Sequence, residues 1–238
     1  MSTEITIGHT LQICNSCGGA APVDVHFCPQ CTKVLTLGRQ GDYFTFMGVA
    51  RKLNLDAGDL EQRFRALSRQ FHPDYFYNAS PVERRASLER SSYLNDAYRT
   101  LKNPITRIGY LLDLEGAGTA RAERARAEKP GQTEVPAALL EEVFALNEEL
   151  DAVRELKAAG APKPEWQRRL IEARRPIEAK QAEHEADLKE LAARWDAMID
   201  TGTSATERPE LVKALSERML ERNYIRNLLD GIERELTT

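Results

Sequence analysis

Four cysteines near the start of the chain form two closely spaced pairs. Cys14 and Cys17 are separated by two residues, as are Cys28 and Cys31, and ten residues lie between the pairs. A C-x-x-C pair in a tight turn directs two thiolates toward one point, so two pairs supply the four ligands of a closed tetrahedral zinc site. The spacing therefore predicts a structural zinc ion held by all four cysteines.

Other uses of these cysteines follow from the same residue types. Two disulfides are disfavoured in a reducing cytosol, redox C-x-x-C motifs usually occur singly beside a βαβ pattern, and iron accepts the same thiolate ligands as zinc. His9 and His26 offer substitute ligands, although four cysteines already fill the coordination shell. Because metal binding supplies folding free energy to a segment with few apolar residues, we expect residues 1–40 to form a small metal-dependent module.

A second group that can do chemistry is His72-Pro73-Asp74, which places an imidazole and a carboxylate on either side of a rigid proline. Arg65 and Arg69 precede it, one helical turn apart. The apolar residues before it recur at helical spacing and are Leu60, Phe64, Leu67 and Phe71. Since a residue before proline avoids the α region, this helix is expected to end at His72. The tripeptide alone can arise by chance, but the helix before it favours a display of His72 and Asp74 at a helix end.

Further helices are predicted around this tripeptide. Residues 42–53 indicate a short apolar helix, and residues 75–79 a polar loop. Ser80-Pro81-Val82-Glu83 then has the N-cap serine, first-turn proline and capping-box glutamate of a helix start. The inner stripe of that helix is Leu94, Ala97, Tyr98 and Leu101. A last helix begins at Asn103-Pro104 and ends near Gly116, with apolar positions Ile108, Leu111 and Leu112.

The rest of the chain indicates a linker and three long helices. Residues 117–136 have no apolar stripe and are predicted to be a linker or a weak surface helix. The seam of the first long helix alternates by four and three residues and consists of Leu139, Val143, Leu146, Leu150 and Val153. A second helix is predicted over 165–198, with a kink or break at Pro176. Gly202 and Pro209 are expected to bracket the next turn, and a final helix runs to Leu236, with its core side formed by Leu211, Leu215, Ile225, Leu229 and Ile232. Short loops make the three helices antiparallel neighbours.

Several apolar residues lie off these seams. At about 100° per residue, Leu140 lies to the side of the first seam and Phe144 well away from it, with Glu148 further along the same strip. Leu220 and Tyr224 point away from the main stripe of the final helix. A cluster of this kind is typical of a partner site, but it is equally consistent with cover from the linker or a J-domain helix. Periodicity alone leaves both interpretations open.

Composition limits the function further. The chain has 238 residues, 29% charged, with a formal net charge of −4, which disfavours general nucleic-acid binding. No apolar run approaches the ~18 residues that span a bilayer, and the N-terminus resembles neither a secretory signal nor a transit peptide. A bacterial cytoplasmic protein is the simplest expectation, and a mature organellar protein fits equally. The sequence has no Gly-rich phosphate loop and no spaced nucleophile–base pair, so we expect it not to be an enzyme.

Three segments together resemble one family. DYFTFMGV, FRALSRQFHPDYF and LNDAYRTLKNPITRIGYLLDLEG follow the order of motifs in the iron–sulfur J-type co-chaperone HscB. The four-cysteine segment resembles the extended form of that family, which carries an N-terminal tetracysteine module. Toward the C-terminus, LLEEVFALNEELD and NYIRNLL resemble its scaffold-binding helices. One departure is Tyr75, where many J domains carry a lysine or arginine.

This resemblance implies a fold and partners. The implied architecture is mainly all-α: a zinc module (1–40), a helical J domain (41–116), a linker or insertion (117–136) and a C-terminal three-helix bundle (137–238). The J-domain residues expected to contact a DnaK/HscA-type chaperone are His72, Pro73, Asp74, Arg65 and Arg69. The bundle residues expected to contact an IscU-type iron–sulfur scaffold are Leu140, Phe144, Glu148 and Tyr224. The implied function is that of a co-chaperone which stimulates the chaperone's ATPase and delivers the scaffold.

Two alternatives remain open at this stage. One is a general J-domain co-chaperone with a different client, and the other is a zinc-dependent interaction module. The zinc module itself is expected first to be a structural cap on the J domain and second a protein-docking surface. Nucleic-acid binding ranks last, because its only basic residues are Lys33 and Arg39.

Overall fold

The computed structural model describes residues 11–37, 41–118, 139–202 and 204–237, except for the side chains of 204–206. Over these residues the fold is mainly all-α, which confirms the predicted class, with one two-stranded antiparallel hairpin at the N-terminus. The strands are β1 (Leu11–Ile13) and β2 (Ala20–Pro22). The helices are α1 (Tyr43–Met47), α2 (Ala57–Phe71), α3 (Pro81–Lys102), α4 (Pro104–Leu114), α5 (Leu140–Ala158), α6 (Lys163–Thr201) and α7 (Ser204–Thr237).

The chain forms two compact units, Met1–Arg107 and Ile108–Thr238. The domain boundaries expected from the sequence stay predictions. His9, Arg39 and most of the predicted linker, from residue 119 onward, lie outside the described residues. None of the described helices combines the length and apolar character needed to cross a membrane.

Helices α2 and α3 pack against each other as a hairpin. The side chain of Asp56 caps α2 by accepting from the backbone N–H of Asp59 at 2.7 Å. Between the helices, the rings of Phe64 and Tyr98 stack with centroids 4.2 Å apart. Five residues of the stripes predicted from spacing are buried in the hairpin: Leu60, Phe71, Leu94, Ala97 and Leu101. Periodicity therefore located the hairpin and its inner faces.

The start of α3 is built as its sequence predicts. The hydroxyl of Ser80 accepts from the backbone N–H of Glu83 at 3.3 Å, and the Glu83 carboxylate accepts in return from the Ser80 backbone at 3.3 Å. Pro81 occupies the first helical position, where a missing N–H loses no helical hydrogen bond. This reciprocal capping box fixes the point at which the chain re-enters a helix.

Two local predictions for the first unit are wrong. The helix expected over 42–53 ends at Met47, because Gly48 adopts a left-handed conformation (φ 67°) and closes α1 after five residues. The first two residues of the loop expected over 75–79 belong to a single 3₁₀ turn, Pro73–Phe76. Both differences arise at a glycine or a proline whose backbone geometry ends or tightens a helix.

In the second unit, α6 contacts both α5 and α7. The three helices share one core, formed by Leu139, Val143, Leu146, Val153, Trp166, Leu170, Ile177, Ile225 and Ile232. Four of the five predicted seam positions of α5 belong to it, and the fifth, Leu150, packs against it. Helix α6 continues through Pro176 instead of breaking there. It ends at Gly202, but Pro209 lies inside α7 and not in the turn. A proline in the second turn of a helix removes a single backbone hydrogen bond, so α7 can begin before it.

A buried histidine in this unit is expected to make its stability sensitive to acid. His184 on α6 is 1% exposed, with its Nε2 3.3 Å from Glu221 Oε2 on α7, and burial lowers the pKa of His184 from its ordinary value of 6.5. Below that value the unfolded chain takes up a proton that the folded chain does not, so stability is lost as pH falls. We expect the free energy of unfolding, followed by fluorescence of Trp166 and Trp195, to decrease from pH 7.5 to pH 5.5.

The substitution His184→Gln should flatten this pH dependence, because glutamine does not titrate. The matched control is His72→Gln, which replaces an exposed histidine of the first unit and should leave the dependence on pH intact. An equal slope in wild type and His184→Gln would assign the acid sensitivity to other groups.

Candidate functional site

The His72-Pro73-Asp74 turn begins where α2 ends. His72 has an extended backbone (φ −60°, ψ 126°), the conformation favoured for a residue that precedes proline. Its ring Nδ1 accepts from the backbone N–H of Asp74 at 3.3 Å and lies 3.5 Å from Asp74 Oδ2. The Asp74 side chain is nevertheless 86% exposed. The turn therefore presents a carboxylate to solvent on a backbone that His72 holds in place.

The residue before this turn is anchored to the hairpin. The carbonyl oxygen of Phe71 accepts from two hydroxyls of α3, those of Ser87 at 2.8 Å and Ser91 at 2.7 Å. A helix end leaves its last carbonyls without backbone partners, and the two serines satisfy one of them. The turn is thus fixed at its start by α3 side chains and at its far end by the capping box of α3.

Basic and aromatic side chains border the turn. Arg65 and Arg69 are exposed on α2, and positions 65, 69 and 72 follow one another at i, i+4 and i+7, which places them on one face. Arg65 pairs with Glu61 one turn earlier at 2.6 Å. Later in the chain, Tyr75 is 73% exposed and Tyr77 78% exposed. The surface around Asp74 therefore combines positive charge with accessible aromatic rings.

The four cysteines converge on one point. Their Sγ atoms lie within 4.8 Å of one another, with 3.7 Å between Cys14 and Cys31 and 3.7 Å between Cys17 and Cys28. Sulfur atoms bound to one tetrahedral metal ion at about 2.3 Å would stand about 3.8 Å apart. The cluster therefore fits a four-coordinate thiolate metal site, and all four predicted ligands are brought together.

Each pair of cysteines sits in the same backbone turn. The N–H of Gly18 donates to the carbonyl of Cys14 at 2.8 Å, and the N–H of Thr32 donates to that of Cys28 at 2.9 Å. Both donors adopt positive φ, 74° at Gly18 and 57° at Thr32, a conformation that glycine accepts and a β-branched threonine does not favour. Backbone N–H groups of Ser16 and Cys17 lower the pKa of the Cys14 thiol to about 6, which favours the thiolate that a metal requires.

Two of the alternative uses, disulfides and histidine ligands, can be compared with the structure. All four cysteines are free. His26 is not among the converging ligands; its Nδ1 instead contacts Arg90 Nη1 at 2.8 Å. The cysteine cluster is therefore arranged to bind a metal ion and not to form two disulfides.

Replacing one surface ligand should weaken metal binding sharply. Cys17 is the exposed member of the cluster, so Cys17→Ser removes a thiolate and leaves the two buried cysteines, Cys14 and Cys28, unchanged. We expect wild type to bind one Zn²⁺ ion per chain and the variant to lose at least about a hundredfold in affinity, since four ligands share a large binding free energy. Competition with a chromophoric chelator measures this. Ser16→Ala in the same turn should bind like wild type, and tight binding by Cys17→Ser would contradict the four-cysteine site.

The predicted scaffold-binding residues differ in their exposure to solvent. On α5, Phe144 is 66% exposed, Leu140 is 39% exposed and Glu148 is exposed, at successive i, i+4 positions on one strip. Tyr224 on α7 is half-buried and packs against the core of the second unit. The three α5 residues thus form an accessible strip, whereas Tyr224 contributes largely to the interior. Their role in binding a partner stays a prediction.

One important residue was not predicted. Arg90 is 2% exposed, and its Nε donates to the carbonyl of Leu35 at 2.6 Å. In the sequence it lies three residues after Ser87 and four before Leu94, on the buried stripe of α3. A lone arginine at such a position is the signal that a buried polar partner must exist elsewhere in the chain.

The helical hairpin with its exposed HPD turn and the tetracysteine cluster have the arrangement expected of a J domain that carries a tetracysteine module. No protein-family model matches the sequence. Among solved structures, human co-chaperone protein HscB matches with a TM-score of 0.63 at 27% identity, over 94% of this chain and 98% of that one. The chaperone HscB from Vibrio cholerae matches with a TM-score of 0.56 at 27% identity, over 81% of this chain and 96% of that one. The chain has the fold of the HscB-type co-chaperones, with an N-terminal tetracysteine module, and the resemblance drawn from its motifs is confirmed.

Proposed function

We propose that this protein is a co-chaperone of iron–sulfur cluster assembly, which stimulates the ATPase of a DnaK/HscA-type chaperone and delivers an IscU-type scaffold protein to it. The observation that carries the proposal is the solvent-exposed carboxylate of Asp74, held by His72 at the end of α2. It stands in a chain whose structural neighbours are HscB co-chaperones. In this role the protein is not itself an enzyme but an activator of its partner's ATPase.

The chaperone contact follows from the charges around the turn. Arg65 and Arg69 would meet an acidic surface of the chaperone and speed the encounter, because exposed ion pairs contribute more to association rate than to affinity. Asp74 would then make the specific contact that biases the chaperone toward ATP hydrolysis. His72 and Pro73 act by holding the Asp74 backbone in position.

The scaffold contact is assigned to the accessible strip of α5. Leu140 and Phe144 expose apolar area beside the carboxylate of Glu148, and an aromatic anchor bordered by charge is a common form of protein-binding surface. Because Tyr224 packs against the core, its part in binding would be confined to its accessible edge. One chain that holds chaperone and scaffold together raises their effective concentration, so modest affinities suffice.

The metal of the N-terminal module is proposed to be zinc. Four thiolates in a closed cluster suit a structural Zn²⁺ ion, and elemental analysis of the purified protein separates zinc from iron. We propose no nucleic-acid partner, and the bacterial cytoplasm or the interior of an organelle stays a prediction for the compartment.

The proposal is tested by the steady-state ATPase rate of the chaperone, measured with this protein, with the scaffold, and with both. Synergistic stimulation by the pair is the expected result. Stimulation that ignores the scaffold would move the client elsewhere and favour a general J-domain co-chaperone. An unchanged rate together with intact metal binding would favour a zinc-dependent interaction module instead.

A further inference from the structure

The tetracysteine module and the HPD turn lie within the same compact unit and are joined by a buried arginine. Arg90, on α3, donates from Nε to the carbonyl of Leu35 at 2.6 Å and from Nη2 to the carbonyl of Thr36 at 3.3 Å. Its Nη1 contacts Nδ1 of His26 at 2.8 Å. Leu35 and Thr36 follow the second cysteine pair, and His26 precedes it by two residues. One side chain therefore holds both flanks of the Cys28–Cys31 turn.

Arg90 is a buried positive charge, and its acceptors are two backbone carbonyls and an imidazole nitrogen. A guanidinium has donors and no acceptor, so Nδ1 of His26 accepts from Arg90 Nη1. Burial lowers the pKa of Arg90 to about 10, which still leaves it charged. A buried guanidinium needs all its partners, and three of its acceptors exist in place only while the metal module is folded.

Phe71 connects the contact between Arg90 and His26 to the start of the HPD turn, because both residues lie against its ring. The Phe71 ring lies 5.0 Å from that of His26 and 5.9 Å from that of Phe27, by centroids, and the Arg90 guanidinium stands 5.6 Å above it. Phe71 is fully buried and directly precedes His72. Two residues of the metal module thus form part of the wall that fixes the last residue of α2.

A second contact reaches the far end of the turn. Lys33 Nζ lies 2.9 Å from Glu83 Oε1, and the other carboxylate oxygen of Glu83 accepts from the Ser80 hydroxyl at 2.9 Å. The Lys33 ammonium and Ser80 together lower the pKa of Glu83. Glu83 is the capping-box residue of α3, so a lysine of the metal module supports the helix start that follows the HPD turn.

We infer that metal binding by the tetracysteine module positions the HPD turn, with Arg90 and Lys33 as the positioning residues that couple the metal to the chaperone-activating carboxylate. The module would thereby make stimulation of the chaperone dependent on the metal content of this protein. The consequence for ATPase stimulation rests on the proposed function, but the positioning itself does not.

The test is hydrogen exchange of the full chain, measured by mass spectrometry over residues 71–83. Wild type with Zn²⁺ is compared with wild type stripped by a chelator under reducing conditions and with Arg90→Met. We expect amide exchange in this segment to become about tenfold faster in both cases, the size of effect that loss of hydrogen bonds to a charged group produces. Helix α6 of the second unit should exchange at the same rate throughout and is the internal reference.

Two further variants separate positioning from general destabilisation. Arg85→Met makes the same change at an exposed position of α3 and should leave exchange over 71–83 unchanged. If Arg90→Met unfolds the hairpin as a whole, Lys33→Met tests the positioning instead. It removes only the ion pair between the half-exposed Lys33 and Glu83, so exchange should become faster only at the amides around Ser80 and Glu83. Unchanged exchange over 71–83 after confirmed metal loss would overturn the inference.

The chaperone assay provides an independent readout. Metal removal should raise the concentration of this protein needed for half-maximal ATPase stimulation by about tenfold, with the maximal rate largely retained. Failure of metal-loaded wild type to stimulate would refute the proposed function and leave the exchange result to decide on positioning. Stimulation unaffected by metal removal, together with unaltered exchange, would refute the positioning and leave the proposed function standing.

Discussion

Replacing Asp74 by asparagine is expected to reduce stimulation of the chaperone ATPase to the basal rate, while the protein stays folded. Asparagine keeps the size of the side chain and removes its charge. Loss of one partner from a charge pair that becomes buried on binding typically costs about 2–5 kcal/mol, or more than about thirtyfold in affinity. The Asp74 carboxylate is 86% exposed, so its change should alter the free energy of unfolding by less than about 0.5 kcal/mol.

The backbone geometry of the turn should survive this substitution, since His72 Nδ1 accepts from the backbone N–H of residue 74, which asparagine retains. Asp96→Asn makes the same change at an exposed position of α3 and should stimulate like wild type. Full stimulation by Asp74→Asn, or an equal loss in Asp96→Asn, would remove the HPD carboxylate from the mechanism.

Replacing Phe144 by alanine is expected to weaken binding of the scaffold by at least about thirtyfold, the loss typical of an aromatic hot spot. Phe144 is 66% exposed on α5, so removal of its ring should change the stability of the helices little. Adding Leu140→Ala on the next turn should weaken binding further. Titration calorimetry of the full chain with the scaffold measures both losses.

Ile171→Ala is the matched control for this surface, because Ile171 is also an exposed apolar residue, 49% accessible on α6. It should bind the scaffold like wild type. Tyr224 requires the milder change Tyr224→Phe, since its ring packs against the core and alanine would open a cavity there. Wild-type affinity in Phe144→Ala would show that the α5 strip is not the scaffold site.

Local sequence patterns predicted the parts of this fold that depend on local physics. The capping box of Ser80 and Glu83 and the α5 seam follow from hydrogen bonding and periodicity within a few residues, and the structure has both. The four cysteines could likewise be assigned to one cluster from spacing alone. Gly48 and Pro209 were harder, because either residue can end a helix or be tolerated near its end.

Contacts between distant residues could not be predicted in this way. Nothing near Arg90 in the sequence indicates that its acceptors are Leu35 and Thr36, more than fifty positions earlier. The half-buried state of Tyr224 has the same origin, since periodicity on one helix does not reveal what the neighbouring helices cover. The accessible strip on α5 and the buried tyrosine on α7 were indistinguishable until the packing was known.

The sequence separation of these contacts also orders the assembly of the first unit. The bond between Phe71 and Ser87 closes a loop of 16 residues, whereas the contact of His26 with Arg90 spans 64. Going from 16 to 64 residues doubles the loop length twice, which raises the entropic cost of closing the loop by about 1.2 kcal/mol. Formation of the HPD hairpin therefore costs less chain entropy than docking of the metal module. The cysteine cluster spans only 17 positions between Cys14 and Cys31. During synthesis those cysteines emerge long before Arg90, so the chain can capture its metal before the surface that will receive the module has been made.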